Sequence, residues 1–234
     1  MKLTILGNYG PYPAPNGACS GYLLESSAAR VLIECGTGTL AQLQRHTALA
    51  QLDAVILSHL HYDHMSDLLP MQYALQFNPR EPLMLLAPNG PENVRALLDV
   101  PCYALSAMQA IQLGDMRFSF HPVKHPWESW ALRAECGGRV FVYTGDTNEA
   151  AGLADFARNA DLLLADAGLS EADWHANAPH LSALRCGQLA AEAGAKRLLL
   201  THLNPKYAPE ALAAEAHTAF AGTEFCAIGR SYEI

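Results

Sequence analysis

The sequence predicts an α/β protein whose sheets are covered by helices on their outer faces, and three observations carry that prediction. Short apolar runs rich in β-branched residues follow one another closely in the first part of the chain, as consecutive strands do. In the second half, apolar runs of strand length alternate with stretches of helical apolar spacing. Half of the 234 residues are hydrophobic and only 16% are charged, which suits a large buried core and excludes a disordered chain.

The elements follow in order. Lys2 to Leu6 alternates as a strand, and Gly7 to Gly21, rich in Gly and Pro, reads as a loop able to rim a pocket. Gly21 to Glu25 and Arg30 to Glu34 form two more strands around a turn at Ser26-Ser27. Thr39 to His46 reads as a short helix after Gly36-Thr37-Gly38. Leu52 to Leu57 is the next buried strand, and Met65 to Phe77 has helical spacing. A strand at Leu83 to Leu86, a helix near Pro91 to Leu98, and strands at Met116 to His121, Trp130 to Glu135 and Arg139 to Tyr143 come next. Helices at Glu149 to Arg158, Ser182 to Ala193 and Pro209 to Phe220 then alternate with strands at Asp161 to Ala165 and Arg197 to Thr201. With no repeat, low-complexity tract or linker, residues 1–234 read as one domain.

The formal charge of −8 and the absence of a basic run give no broad footprint for a nucleic-acid backbone. Six scattered cysteines without a C-x-x-C pair read as reduced thiols and a cytoplasmic setting. The apolar start is too short for a signal segment, and no run approaches a membrane span.

The chemistry concentrates in Ser58-His59-Leu60-His61-Tyr62-Asp63-His64, directly after the Leu52 to Leu57 strand. Imidazole nitrogen and carboxylate oxygen suit zinc and similar borderline metals. Four donors this close exceed an ordinary three-ligand catalytic site and can be divided between two ions. His125, Asp146 and His202 lie just past later strands, where sites on sheet scaffolds are assembled. Donors at four separate strand ends are better explained by one site than by chance.

Together these residues resemble the metallo-β-lactamase superfamily of binuclear metallohydrolases. The resemblance implies a four-layer αβ/βα sandwich with two divalent metal ions at one edge, zinc first, with manganese or iron as alternatives. It further implies that His59, His61 and His125 hold one ion and that Asp63, His64 and His202 hold the other, with Asp146 bridging. An aspartate at 146 and the lack of a cysteine ligand depart from the lactam-cleaving branch. A narrower resemblance is to the ribonuclease Z-like phosphodiesterase branch, carried by Ile33-Glu34-Cys35-Gly36-Thr37-Gly38-Thr39, Tyr143-Thr144-Gly145-Asp146-Thr147 and Pro179-His180-Leu181-Ser182-Ala183. In that branch the residue at 180 stands beside the scissile phosphate. Only 20 residues separate His125 from Asp146, which leaves no room for the tRNA-grasping arm. Precursor tRNA is therefore not expected as a substrate, whereas a small-molecule phosphodiester or related ester is. A homodimer, frequent in that branch, is a further expectation.

Two ions about 3.5–4 Å apart share a water and present it as a bridging hydroxide near neutral pH. Asp63, Asp146 and His180 are then the expected catalytic residues, with His180 as general acid or phosphate stabiliser. Asp67 reads as a carboxylate backing a ligand histidine or as a helix-start acid. Trp127, Trp130 and Trp174 are candidates for an aromatic pocket or for the core. His46, His121, His175 and His217 read as non-ligands. The alternative function is a lactonase or thioesterase using the same dimetal site on a carbonyl. A binding protein without catalysis is disfavoured, because all seven donors are retained.

Overall fold

The computed structural model describes residues 1–77, 83–98, 101–107 and 110–234. Strands β1 (Lys2–Gly7), β2 (Gly21–Glu25), β3 (Arg30–Ile33), β4 (Ala54–Ile56), β5 (Met84–Ala87) and β6 (Cys102–Ala104) lie side by side in that order. A second sheet runs in order through β7 (Ile111–Leu113), β8 (Met116–Pro122), β9 (Trp130–Cys136), β10 (Arg139–Tyr143), β11 (Leu162–Asp166), β12 (Leu198–Thr201) and β13 (Thr223–Phe225). The last strand, β14 (Ser231–Glu233), returns to pair antiparallel with β1, so each sheet has seven strands.

Both sheets are mixed. Strands β3 to β6 are parallel, as are β10 to β13, while the hairpin-connected strands beside them are antiparallel. Period-2 alternation explains how the sheets pack. In β2 and β3, Tyr22, Leu24, Val31 and Ile33 turn inward to meet Phe118, Leu132, Phe141 and Tyr143 of the other sheet in one shared core. Leu23, Leu32 and Val55 turn outward, under α1 (Thr39–Leu43), α2 (Tyr62–Met65), α3 (Leu68–Gln76) and α4 (Glu92–Arg95). Across the molecule, Leu163, Leu198 and Leu200 pack outward against α6 (Ala183–Ala193) and α7 (Pro209–His217), with α5 (Leu153–Phe156) beside them. This is the expected αβ/βα layering.

Four strands escaped the sequence reading: β6, β7, β13 and β14. Each is three residues long and each is an outer strand of its sheet. An edge strand pairs on one side only and is half exposed, so its residues carry no sustained alternation to read. The helix expected over Met65 to Phe77 is two helices, broken around Ser66 and Asp67. The helix expected over Glu149 to Arg158 shrinks to Leu153–Phe156, because Gly152 adopts the left-handed conformation at φ 78°. The six cysteines are free. No helix among the described residues is long and apolar enough to cross a membrane.

Candidate metal centre

The parallel strands deliver the site. Strand β4 ends at Ile56, and the chain then passes Ser58 and His59 before His61 starts α2, whose single turn carries Asp63 and His64. Strand β10 ends at Tyr143 and leads through Gly145 to Asp146, β11 ends on Asp166, and β12 leads to His202. The loop after β8 supplies His125. Carboxyl ends of parallel strands share one edge of a sheet, so residues far apart in sequence converge there.

All seven sequence-predicted donors meet at this edge. His61 Nδ1 lies 3.0 Å from both His59 Nε2 and His125 Nε2. A second group forms around His202 Nε2, which lies 3.1 Å from both Asp63 Oδ2 and Asp146 Oδ2. His64 Nε2 stands 3.2 Å from Asp146 Oδ2 and 3.5 Å from Asp63 Oδ2. Asp146 Oδ2 also lies 3.6 Å from His59 Nε2, so this oxygen of the second group faces a member of the first.

These spacings suit metal coordination. Two donors on one tetrahedral ion with bonds near 2.05 Å are about 3.3 Å apart. His64 Nε2 and Asp146 Oδ1 are buried without a hydrogen-bond partner, as suits atoms that a bound ion would satisfy.

The far nitrogen of most of these rings faces an acceptor, the arrangement that aims an imidazole at a metal. Ser58 Oγ is 3.0 Å from His59 Nδ1, and Pro179 O is 3.0 Å from His125 Nδ1. Glu34 Oε1 faces His64 Nδ1 at 3.5 Å, and Asp166 Oδ1 faces His202 Nδ1 at the same distance. Glu34 also accepts the Ser58 amide with both oxygens, at 3.1 and 3.2 Å, and so fixes the start of the histidine loop.

The charge states fit as well. Burial, reinforced by neighbouring imidazoles, holds His59 well below its ordinary pKa and His61 down to about 4, and burial also lowers His125. These rings keep their lone pairs at neutral pH. Burial works against the ionised forms of Asp63 and Asp146, but the surrounding histidines keep both carboxyls well below the usual range. Burial likewise opposes a charge on His64, yet Asp146, Asp63 and Glu34 raise its pKa well above normal. The carboxylates thus demand positive charge at this spot, which an ion meets as well as a proton does.

His180 stands beside the group. Its Nδ1 donates to Asp166 Oδ2 at 2.8 Å and lies 3.9 Å from Asp146 Oδ2. Burial favours the neutral ring, but Asp166 and then Asp146 outweigh it and raise the pKa to about 9. Asp166, which bonds His180 and faces His202 at 3.5 Å, was not recognised in the sequence. It had the same signal as Asp146 and His202, a polar residue closing the apolar run Leu162-Leu163-Leu164-Ala165.

Other sequence expectations resolve differently. Asp67 backs no histidine: its Oδ2 accepts the Leu40 amide at 2.9 Å, tying the start of α1 to the start of α3. The tryptophans form no common pocket. Trp127 packs on the His61 ring at 4.1 Å, Trp130 lies against the inter-sheet core, and Trp174 stacks under Arg185 at 3.2 Å. His46, His121, His175 and His217 join none of the donor groups among the described residues.

Gly10 sets the clearance over His202. A Cβ at this position would lie 1.9 Å from His202 Nε2, the atom that faces the two carboxylates. Gly10→Ala should therefore push the ring aside and weaken retention of a divalent ion by about 10–100-fold, measured by competition with a chromophoric chelator. Unchanged affinity would mean that His202 is not a ligand in this position.

Comparisons with known proteins agree with this geometry. The family model described as Beta-lactamase superfamily domain matches residues 29–203. The probable metallo-hydrolase YhfI of Bacillus subtilis is 33% identical over 231 residues, covering 95% of each chain. Its crystal structure superposes with a TM-score of 0.93 at 34% identity, covering 99% of both chains. A ribonuclease Z of Natronomonas pharaonis is 26% identical over 291 positions, 96% of this chain and 94% of that one. The human short-form tRNase Z, at 20% identity and a TM-score of 0.82 over 100% and 99% of the two chains, shares the fold. Matched by the family model over most of its length and by a relative over 95% of it, the chain belongs to the β-lactamase superfamily.

Proposed function

We propose that this protein is a binuclear metal-dependent hydrolase, with zinc as the first candidate, that cleaves small phosphodiesters. The observation that carries the proposal is Asp146 Oδ2, which lies 3.1 Å from His202 Nε2 of one donor group and 3.6 Å from His59 Nε2 of the other, with a histidine of raised pKa standing 3.9 Å away. His59, His61 and His125 would hold one ion, Asp63, His64 and His202 the other, and Asp146 both. When bound, two such ions supply Lewis acidity and make a shared water acidic enough to act as nucleophile near neutral pH.

The chain's own residues do the rest. Asp63 and Asp146 balance the positive charge and keep the imidazoles in place. Asp166 occupies His180 Nδ1, which leaves Nε2–H as the atom able to reach substrate in the cleft. As water oxygen adds to phosphorus and the far P–O bond breaks, His180 passes its proton to the departing oxygen. The products are a monoester and an alcohol.

Phosphorus rather than carbonyl carbon is supported by the ribonuclease Z relative, whose name describes cleavage of RNA. A small substrate rather than tRNA is supported by length, since that alignment needs 291 positions against a chain of 234 residues. Protein purified without chelator should carry close to two metal ions per chain by elemental analysis, and a fully loaded protein with one ion overturns the binuclear reading. The loaded protein should turn over bis(p-nitrophenyl) phosphate or cyclic nucleotides in preference to lactones and thioesters. The opposite preference would assign the carbonyl-hydrolysing alternative.

A further inference from the structure

The cleft over the donor cluster has a volume of about 420 Å³, the size of a small-molecule site. Its lining includes histidines and aspartates already described, and its remaining members are Pro11, Tyr62, Pro126 and Pro179. Among the described residues, no lysine or arginine lines it. The cations in adjoining segments are engaged elsewhere. Lys124 Nζ donates to Ala176 O at 2.7 Å, and Arg185 pairs with Glu149 and Glu171 while lying over Trp174. Polyanion binding relies on several such side chains reaching phosphates, and this cleft offers none.

Tyr62 is the unusual member of this lining. It sits between His61 and Asp63 in the first turn of α2, yet its side chain is left 63% exposed. It is not loose. Its ring meets Trp127 edge to face at 6.4 Å and 87°, and Trp127 in turn lies on His61 at 4.1 Å. An aromatic series thus runs from the donor cluster out to the rim. His180 is placed differently, packed on His202 at 4.7 Å and on His125 at 5.5 Å. His180 and Tyr62 thus both line the cleft, the one packed among the histidines and the other exposed at its rim.

We propose that Tyr62, steadied by Trp127, is a stacking platform for a planar ring on the group that stays attached to phosphorus. The protein thereby selects compact, singly charged diesters bearing such a ring over polyanionic nucleic acid. This rests on the phosphodiesterase reading above. Base–aromatic stacking tolerates any flat ring, so a nucleobase and a simple aryl group share the chemistry.

The test uses the metal-loaded protein and three diesters with the same p-nitrophenolate leaving group, whose retained group is 5′-thymidine, phenyl or methyl. Wild-type kcat/KM should favour a ring-bearing ester over the methyl ester by about tenfold or more, the size of one base–aromatic stack. Tyr62→Ala should bring that ratio toward one, chiefly through KM, and Tyr62→Phe should restore it. A thymidine ester well ahead of the phenyl ester assigns the platform to a nucleobase, and equal rates assign it to any aryl group. A thymidine ester carrying an additional 3′-phosphate should be a poorer substrate than thymidine alone. No ring preference in the wild type, or a Tyr62→Ala protein with the wild-type ratio, overturns the platform while leaving the phosphodiesterase reading intact. A faster reaction with the additional phosphate overturns the exclusion of polyanions. Hydrolysis of lactones or thioesters with none of the three diesters would instead remove the phosphodiesterase reading, and the platform with it.

Discussion

Asp146→Ala should yield a folded protein that has lost most of its metal and whose diester turnover has fallen by roughly 10³-fold or more. One carboxylate oxygen lies within 3.1 Å of His202 Nε2, 3.2 Å of His64 Nε2 and 3.6 Å of His59 Nε2, so its removal disturbs both donor groups at once. The fold should survive, because the tie from this segment to its neighbour uses the backbone: Ser129 Oγ donates to Asp146 O at 3.0 Å. Asp146→Asn is the companion variant. It keeps the shape and removes the charge, so it separates electrostatic loss from a cavity. Elemental analysis, circular dichroism and turnover measured on the same samples decide the matter. Two retained ions with wild-type turnover would show that Asp146 does not bridge.

The second large effect concerns His180, which belongs to neither of the two proposed ligand groups. His180→Ala should leave metal content unchanged and lower kcat on alkyl diesters by roughly 10²–10⁴-fold, the usual weight of a positioned proton donor. A nitrophenolate needs little protonation to depart, so aryl diesters should lose far less. Equal losses would identify His180 as a stabiliser of phosphate charge and not a proton donor. The pH profile is a separate check. A raised pKa keeps a donor protonated through neutral pH, and donation is lost as pH rises through the value that Asp166 sustains. Asp166→Asn removes that support, so the alkaline loss of alkyl-diester activity should move to lower pH. A limb that stays in place would mean that another group is the acid.

The layering was legible before any coordinates because both faces of each central strand are buried. Runs such as Val31-Leu32-Ile33 and Leu198-Leu199-Leu200 announce such strands by composition alone. The outer strands were not legible, since three half-exposed residues such as Cys102–Ala104 take their conformation from the neighbour they pair with. Gly152 and the break near Asp67 shortened two helices that apolar spacing alone had extended.

For the site, the sequence by itself determined which residues offer donors that the fold brings together: a histidine-rich turn within six residues, then single donors closing later apolar runs. Its resemblance to a known family supplied their division into two groups. Only the tertiary structure decided that Asp146 faces both groups, that Asp166 bonds His180 while Asp67 turns to the Leu40 amide, and that Tyr62 stands at the rim against Trp127. The reason is physical. A strand fixes the end at which its last side chain emerges, but the partner of that side chain comes from another strand, brought alongside by packing across the whole sheet.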